Sequence, residues 1–335
     1  MNILLLTRLY YPHIGGVERH VEEVSKRLVE KGYKVTIVTE LLDRTKREET
    51  LDGIKIIRFT YHKIKFLGLI FIWLQLLRRF QLIKTSDIVH IHDVFIWYLP
   101  FKFLFPKKVV YTTFHGWEGK YPIPPKFKFL RKIAEKLTLG NICVGDYLKK
   151  WYETKSTYTT YGGVELYNYH TTVRVNSAVF IGRLTRDTGL PIYLSTLKLL
   201  KKCKFEIDFL GDGKLRDKAQ EFGKVHGFVE DIIPYLIKAK FVFTSGYLSI
   251  LEAMAAKKLV FAVYDNPVKQ DYLEMSPFAK WIVAENSPKI LAEKVGYYLK
   301  HPEEEKKLVE EGYNWASRQT WDKVVSLYLK LWGIK

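Results

Sequence analysis

Short apolar runs and amphipathic stretches alternate along this chain, and the alternation restarts once, near its middle. Apolar runs rich in β-branched and aromatic residues lie at 2–7, 34–40, 54–59, 87–91, 108–113 and 142–144. The first helix is expected over 17–31, after a Gly-Gly turn, with Gly32 ending it. The second half repeats the rhythm, with strands expected at 178–181, 205–210, 241–244 and 259–263. Helices are expected there near 191–201, 214–222, 249–256 and 289–300. Near-continuous apolar strands separated by helices imply parallel sheets covered on both faces. The fold class expected is therefore α/β, with two doubly wound domains facing each other and a polar junction at 169–176. In such sheets ligands bind beyond the carboxyl ends of the strands, so the active site is expected in a cleft lined by those loops.

Composition narrows the function classes. The 335 residues suit two domains, and 47% apolar with 27% charged residues describes a folded chain, not a disordered one. Two cysteines, Cys143 and Cys203, match no zinc or disulfide spacing, which fits a reducing cytoplasm. The N-terminal apolar run is short, lacks a basic start and meets Arg8 and a turn, so it reads as a buried strand and not a signal peptide. A net charge of +18 favours anionic partners, although a lysine-rich solvated surface accounts for it equally well.

Six motifs fall at strand ends. Gly15-Gly16 lets backbone approach a ligand in front of a helix N-terminus, where free amides suit a diphosphate; alone it is equally an ordinary tight turn. In Asp87-Ile-Val-His90-Ile-His92-Asp93, strand alternation points His90 and His92 the same way, and one histidine buried and satisfied is the plain expectation. No third metal ligand is evident there. Thr113-Phe-His115-Gly116 ends a strand at a histidine able to bond a substrate or move a proton. Arg183 follows Gly182 at another strand end, where a guanidinium suits a departing diphosphate. Leu210-Gly211-Asp212-Gly213 is a strand-to-helix turn, followed by His226-Gly227-Phe228-Val229. Ser249-Ile250-Leu251-Glu252 opens a helix and doubles as a plain capping box.

The order and spacing of these motifs resemble glycosyltransferase family 4, the large retaining family of the GT-B type, over essentially the whole chain. The resemblance implies two Rossmann-like domains, an acceptor-side one at 1–168 with the C-terminal helix 321–335 packing back on it, and a donor domain at 169–320. It implies transfer of a sugar from a nucleotide-diphosphate sugar, UDP or GDP, with no further cofactor and no metal. Gly15 and Gly16 would meet the diphosphate and His115 the donor sugar. Arg183 would neutralise the leaving group, with Arg186 helping. Gly211 would lie at the donor, Phe228 and Val229 would hold the base, and Ser249, Ile250, Leu251 and Glu252 would contact phosphates, sugar and ribose. His92 and Asp93 would border the acceptor. Two positions depart from the family pattern: Thr188 stands where a lysine is usual, and Thr244 where a glutamate is usual, in a loop that looks shortened. These losses keep open a non-catalytic nucleotide- or glycan-binding relative; a sugar-nucleotide epimerase is a third reading.

The stretch 61–84 is apolar over about a dozen central residues, where a membrane span needs roughly 20. Lys63, Lys65, Arg78, Arg79 and Lys84 flank it, which suits either an interfacial helix on an anionic membrane or a buried one. No nucleic-acid recognition motif accompanies it. The acceptor expected is a glycan, lipid-linked or at a membrane surface. The place expected is the cytoplasm, with peripheral attachment to the inner face of the cell membrane.

Overall fold

The computed structural model describes residues 1–61, 67–166, 173–201 and 204–334. Its contacts divide the chain into two units, Met1–Thr160 with Trp321–Lys335, and Tyr161–Thr320. The sequence junction at 169 falls outside the described residues, as do Lys63, Lys65 and Cys203.

The first unit carries eight strands: β1 (Asn2–Thr7), β2 (Lys34–Glu40), β3 (Glu48–Leu51), β4 (Ile54–Phe59), β5 (Ile88–His92), β6 (Val109–Phe114), β7 (Asn141–Val144) and β8 (Tyr158–Thr160). They lie in the order β3-β4-β2-β1-β5-β6-β7-β8, parallel throughout except where β3 runs antiparallel to β4. The second unit carries β9 (Ser177–Ile181), β10 (Glu206–Leu210), β11 (Lys224–Gly227), β12 (Phe241–Phe243), β13 (Leu259–Val263) and β14 (Val283–Glu285). Its order is β11-β10-β9-β12-β13-β14, all parallel. The central strands are buried on both faces, as in Val38 and Ile37 of β2 or Phe243 of β12, because helices cover each side. The helix expected at 214–222 is shorter, Arg216–Gln220, and the one expected at 249–256 starts earlier, at Tyr247.

The last helix, Trp321–Leu331, packs on the first unit against the helix Gly16–Glu30. Its buried residues Trp321, Val324, Val325, Tyr328 and Leu331 recur at helical spacing and form one stripe. This stripe meets a buried polar cluster. The Tyr328 hydroxyl lies 2.9 Å from Nε2 of His20 and 2.9 Å from Oγ1 of Thr113. The Trp332 indole donates to Nδ1 of His90 at 3.0 Å. An indole N–H can only donate, so His90 carries its proton on Nε2 and gives it to Thr113 Oγ1 at 2.7 Å. His90 is thus buried and satisfied. His20, His90, His92 and His115 gather here ring against ring. Burial holds all four neutral: it lowers His20 to about 3 and pushes the other three well below the ordinary histidine value, with repulsion from neighbouring histidines adding to it in those three.

That cluster makes stability depend on acid. Each histidine has a folded pKa below its unfolded value of about 6.5, so the unfolded chain binds more protons as pH falls below that point. Stability is complete above pH ~6.5 and declines below it, each histidine adding about 1.4 kcal/mol per pH unit. Asp93 opposes this: crowding by protein pushes its carboxyl up to about 6, offset in part by Arg131 and the His115 amide, so protonating it favours the fold. The histidines outnumber it. Thermal melts should therefore show a clearly lower Tm at pH 5 than at pH 7.5, and His90→Gln should flatten the slope; equal melting points at the two pH values would contradict a neutral buried cluster.

Candidate functional site

In the first unit, the turn after β1 brings Gly15 to the N-cap of the helix Gly16–Glu30, in extended conformation. The Glu18 carboxylate folds back over this turn, so a side chain at Gly15 would strike its oxygen. Glu18 also pairs with Nδ1 of His13 at 3.0 Å. The amides of Gly16 and its neighbours open the helix and have no intrahelical acceptor, but an acid already stands in front of them.

At the ends of β5 and β6, His92 Nδ1 lies 2.9 Å from His115 Nε2, with both rings neutral and one donating to the other. His92 is buried, and its Nε2 has no partner among the described residues. Asp93 adopts a left-handed backbone, φ 60°, which turns its side chain back to accept the His115 amide at 3.0 Å. Its residue keeps an open face to solvent, and with its pKa near 6 it is ionised at neutral pH. His92, Asp93 and His115 thus form one connected group at the carboxyl edge of the first sheet. Among the described residues no group of three or more His, Cys, Asp or Glu side chains is arranged to hold a metal ion.

In the second unit, the loops after β9 and β10 are pressed together. The Gly211 amide donates to Gly227 O at 2.7 Å and the Gly182 amide to Leu210 O at 3.0 Å. A Cβ at Gly211 would sit 1.9 Å from the Gly182 carbonyl, and one at Gly213 would sit 2.5 Å from the Leu184 carbonyl. Both glycines also have positive φ, so the approach needs glycine twice over. This zipped pair of loops presents Arg183 outward. Its guanidinium is 63% exposed and pairs with Asp187 Oδ2 at 2.6 Å. Arg186 is exposed on the same loop, and its side chain has no hydrogen bond or ion pair among the described residues. Asp187 therefore serves Arg183, not Arg186. Thr188 Oγ1 turns inward and donates to the carbonyls of Arg183 and Thr185.

The loop Thr244-Ser245-Gly246 follows β12 and feeds the helix Tyr247–Ala255. Gly246 is the N-cap, so Ser249 lies inside the first turn and the capping-box reading of Ser249 with Glu252 does not hold. Ser249 Oγ stands 2.6 Å from Thr244 Oγ1, and buried Thr244 donates to Ile181 O at 2.8 Å. Ile250 and Leu251 correct the sequence reading: both side chains are fully buried, and the Ile250 amide is taken by Gly246 O. Glu252 is half-buried one turn further on, and Phe228 is 50% exposed beside half-buried Val229.

Sequence reasoning missed three neighbours of this loop cluster. Tyr272 lies parallel to Tyr247 with ring centroids 3.7 Å apart, and its hydroxyl accepts the Tyr247 amide at 2.8 Å. Asp187 holds Arg183. Lys269, in the first turn of the helix Pro267–Glu274, reaches the Asp187 carbonyl. The signal for Lys269 was Asn266-Pro267 after the strand Leu259–Val263, a helix start at the same sheet edge.

Two family models match the chain, Glycosyltransferase Family 4 over residues 14–166 and Glycosyl transferases group 1 over residues 176–301. The chain is 24% identical to an uncharacterized glycosyltransferase of Methanocaldococcus jannaschii, over 96% of its own length and 95% of that protein. It is 33% identical to a subunit of the human phosphatidylinositol N-acetylglucosaminyltransferase, over 28% of this chain and 20% of that one. Its fold is that of Anabaena HepE, solved in complex with UDP and glucose, with a TM-score of 0.72 and 14% identity over 98% of this chain and 99% of that one. Two parallel α/β units, the succession of strand-end motifs and these matches agree: the chain is a glycosyltransferase of the GT-B fold and belongs to glycosyltransferase family 4.

Proposed function

We propose that the protein transfers a sugar from a nucleotide-diphosphate sugar, UDP- or GDP-linked, to a glycan or lipid-linked acceptor, with retention and without a metal. The observation that carries the reading is the loop after β9, where Arg183 and Arg186 are exposed at the carboxyl edge of a parallel sheet beside the start of the helix Tyr247–Ala255. Fixed cations and first-turn amides suit the charge that gathers on a departing diphosphate. The UDP and glucose held by the Anabaena relative agree with this donor class. On this reading the half 169–320 binds the donor. Arg183 and Arg186 meet the diphosphate, Gly211 gives backbone access, Phe228 and Val229 flank the base, the Ser249 amide reaches a phosphate and Glu252 reaches the ribose. The half 1–168, with 321–335, is the acceptor side. There Gly15 and Gly16 offer backbone to the diphosphate once the Glu18 carboxylate that covers the turn moves aside, His115 lies by the donor sugar, and His92 and Asp93 border the acceptor. One observation favours a non-catalytic binding relative: Asp187 already occupies Arg183, and Thr188 and Thr244 are spent on loop carbonyls.

The acceptor surface is read from the first unit. In the helix Leu67–Arg78, Gly68, Ile72 and Leu76 face inward, while Leu67, Ile70, Phe71, Leu74 and Leu77 form an exposed stripe at helical spacing. The helix Phe95–Leu104 packs beside it and exposes Phe103 and Leu104; the helix Pro125–Leu137 follows and exposes Phe129. Arg78, Lys107 and Lys126 are exposed on or beside these helices. An apolar stripe edged with cations matches the boundary of an anionic bilayer. No described helix is long and apolar enough to cross a membrane.

Arg183→Ala should weaken UDP or GDP binding by about tenfold or more, as expected for lost charge-assisted bonds, while leaving Tm unchanged. Calorimetric titration measures it, and unaltered affinity would remove Arg183 from the donor site. Turnover should persist in excess EDTA; loss of activity that magnesium or manganese restores would overturn the metal-independent reading. Vesicles containing phosphatidylserine should carry the protein in flotation, less so as salt rises. Phe71→Ser with Leu74→Ser, and separately Arg78→Glu with Arg79→Glu, should reduce the floated fraction. If both variants float like wild type, this face does not meet membrane.

A further inference from the structure

We propose that Lys269, on the helix Pro267–Glu274, supplies the donor-phosphate site with a third, buried cation at the loop that carries Thr188, beside the exposed Arg183 and Arg186. The proposal rests on the reading of Arg183 as a diphosphate ligand and adds a residue to it. Strand β13 ends at Val263, and the chain turns through Asp265 and Asn266 into this helix. The Asn266 side chain accepts the Lys269 amide at 3.1 Å and so fixes the first turn. From there the lysine stem runs to the loop after β9, and its ammonium donates to the Asp187 carbonyl. That carbonyl belongs to the residue between Arg186 and Thr188. Gly189, next along, packs against Val263 so closely that a Cβ would meet its methyl at 2.3 Å. The loop is therefore held against the end of β13 and the helix that follows it, and the ammonium meets the loop at the Asp187 carbonyl.

The side chain is 11% exposed, and its nearest carboxylate oxygen, on Asp265, is 3.7 Å away. An ammonium has three hydrogens; among the described residues one goes to the Asp187 carbonyl and the Asp265 carboxylate pairs with the charge from 3.7 Å, which leaves room for a further anionic acceptor. Burial lowers its pKa, the Asp265 and Asp187 charges act against that, and Arg183 adds to it. A charge held this way is a poor staple: a neutral amide would bond the same carbonyl without the desolvation. It is a good partner for an anion arriving between Lys269 and Arg183. Asp187 is the local anion there. A diphosphate that takes Arg183 from the Asp187 carboxylate leaves that carboxylate to solvent, to which it is already 42% exposed, and leaves Lys269 for the phosphate.

The probes are UDP and UMP, replaced by GDP and GMP or ADP and AMP where those bind wild type more tightly. Lys269→Met should lower diphosphate affinity about tenfold and monophosphate affinity little, so the ratio between them collapses. Adding Thr188→Lys to that variant should return at least part of the ratio. A wild-type ratio in Lys269→Met overturns the proposal. So does an equal loss of both nucleotides with a lowered Tm and no rescue by Thr188→Lys, since that is the behaviour of a structural tie. Should Lys269→Met fail to fold, Lys269→Gln and Lys269→Arg give the same reading: Arg should keep the ratio and Gln lose it. If Arg183→Ala loses diphosphate affinity and Lys269→Met does not, only the Lys269 assignment falls. If wild type binds none of the three diphosphates, the donor reading itself falls.

Discussion

Parallel pairing is the constraint on which both units depend. A parallel strand must be re-entered from the same end, so the carboxyl ends of all the strands except the antiparallel Glu48–Leu51 open on one edge of their sheet. In the first unit that edge gathers the turn at Gly15, His92 with Asp93, and His115. In the second it gathers Arg183, Gly211, the loop before Tyr247 and the turn before Lys269. These residues are far apart in sequence, and no local interaction would bring them together. Burial on both faces makes the arrangement stable: the apolar side chains of the central strands are covered on either side, and their buried polar ones, such as His90 and Thr113, are bonded to each other in this register.

The two edges solve opposite electrostatic problems. On the first, four histidines share a dry pocket with Tyr328 and Trp332, and every one is neutral. The hydrogen bonds that seat the C-terminal helix need that neutrality: a protonated His90 could not accept the Trp332 indole. On the second, Arg183 and Arg186 reach solvent and Lys269 is turned into the loop, with Asp187 and Asp265 as the nearby acids. A surface that sets two acids beside three cations keeps an attraction for anions.

The ten strands expected from sequence are the ten inner strands of the two sheets. The four it did not show, Glu48–Leu51, Tyr158–Thr160, Lys224–Gly227 and Val283–Glu285, are the four edges. Edge strands bury less and are short or polar, as Glu-Glu-Thr-Leu and Lys-Val-His-Gly are, so the apolar run that marks a buried strand is absent. At the site, the same logic separates Arg183 from Ile250 and Leu251. All three lie in motifs, but an arginine after a strand-ending glycine has one place to go, whereas an apolar residue in a helix faces ligand or core depending on rotation alone. The fold turned Ile250 and Leu251 inward.

Apolar periodicity and glycine-marked turns are local properties, so the α/β class, the two-unit plan and the family are legible in the linear chain. Which charges meet is a property of the folded chain only. Asp187 pairs with Arg183 and not with Arg186, Ser249 sits inside a turn that Gly246 caps, and His20 joins three histidines from two strand ends. Lys269 reaches a loop 82 residues earlier. Such meetings depend on strand order and on the few ångströms between packed loops, and nothing in a linear spacing encodes either distance.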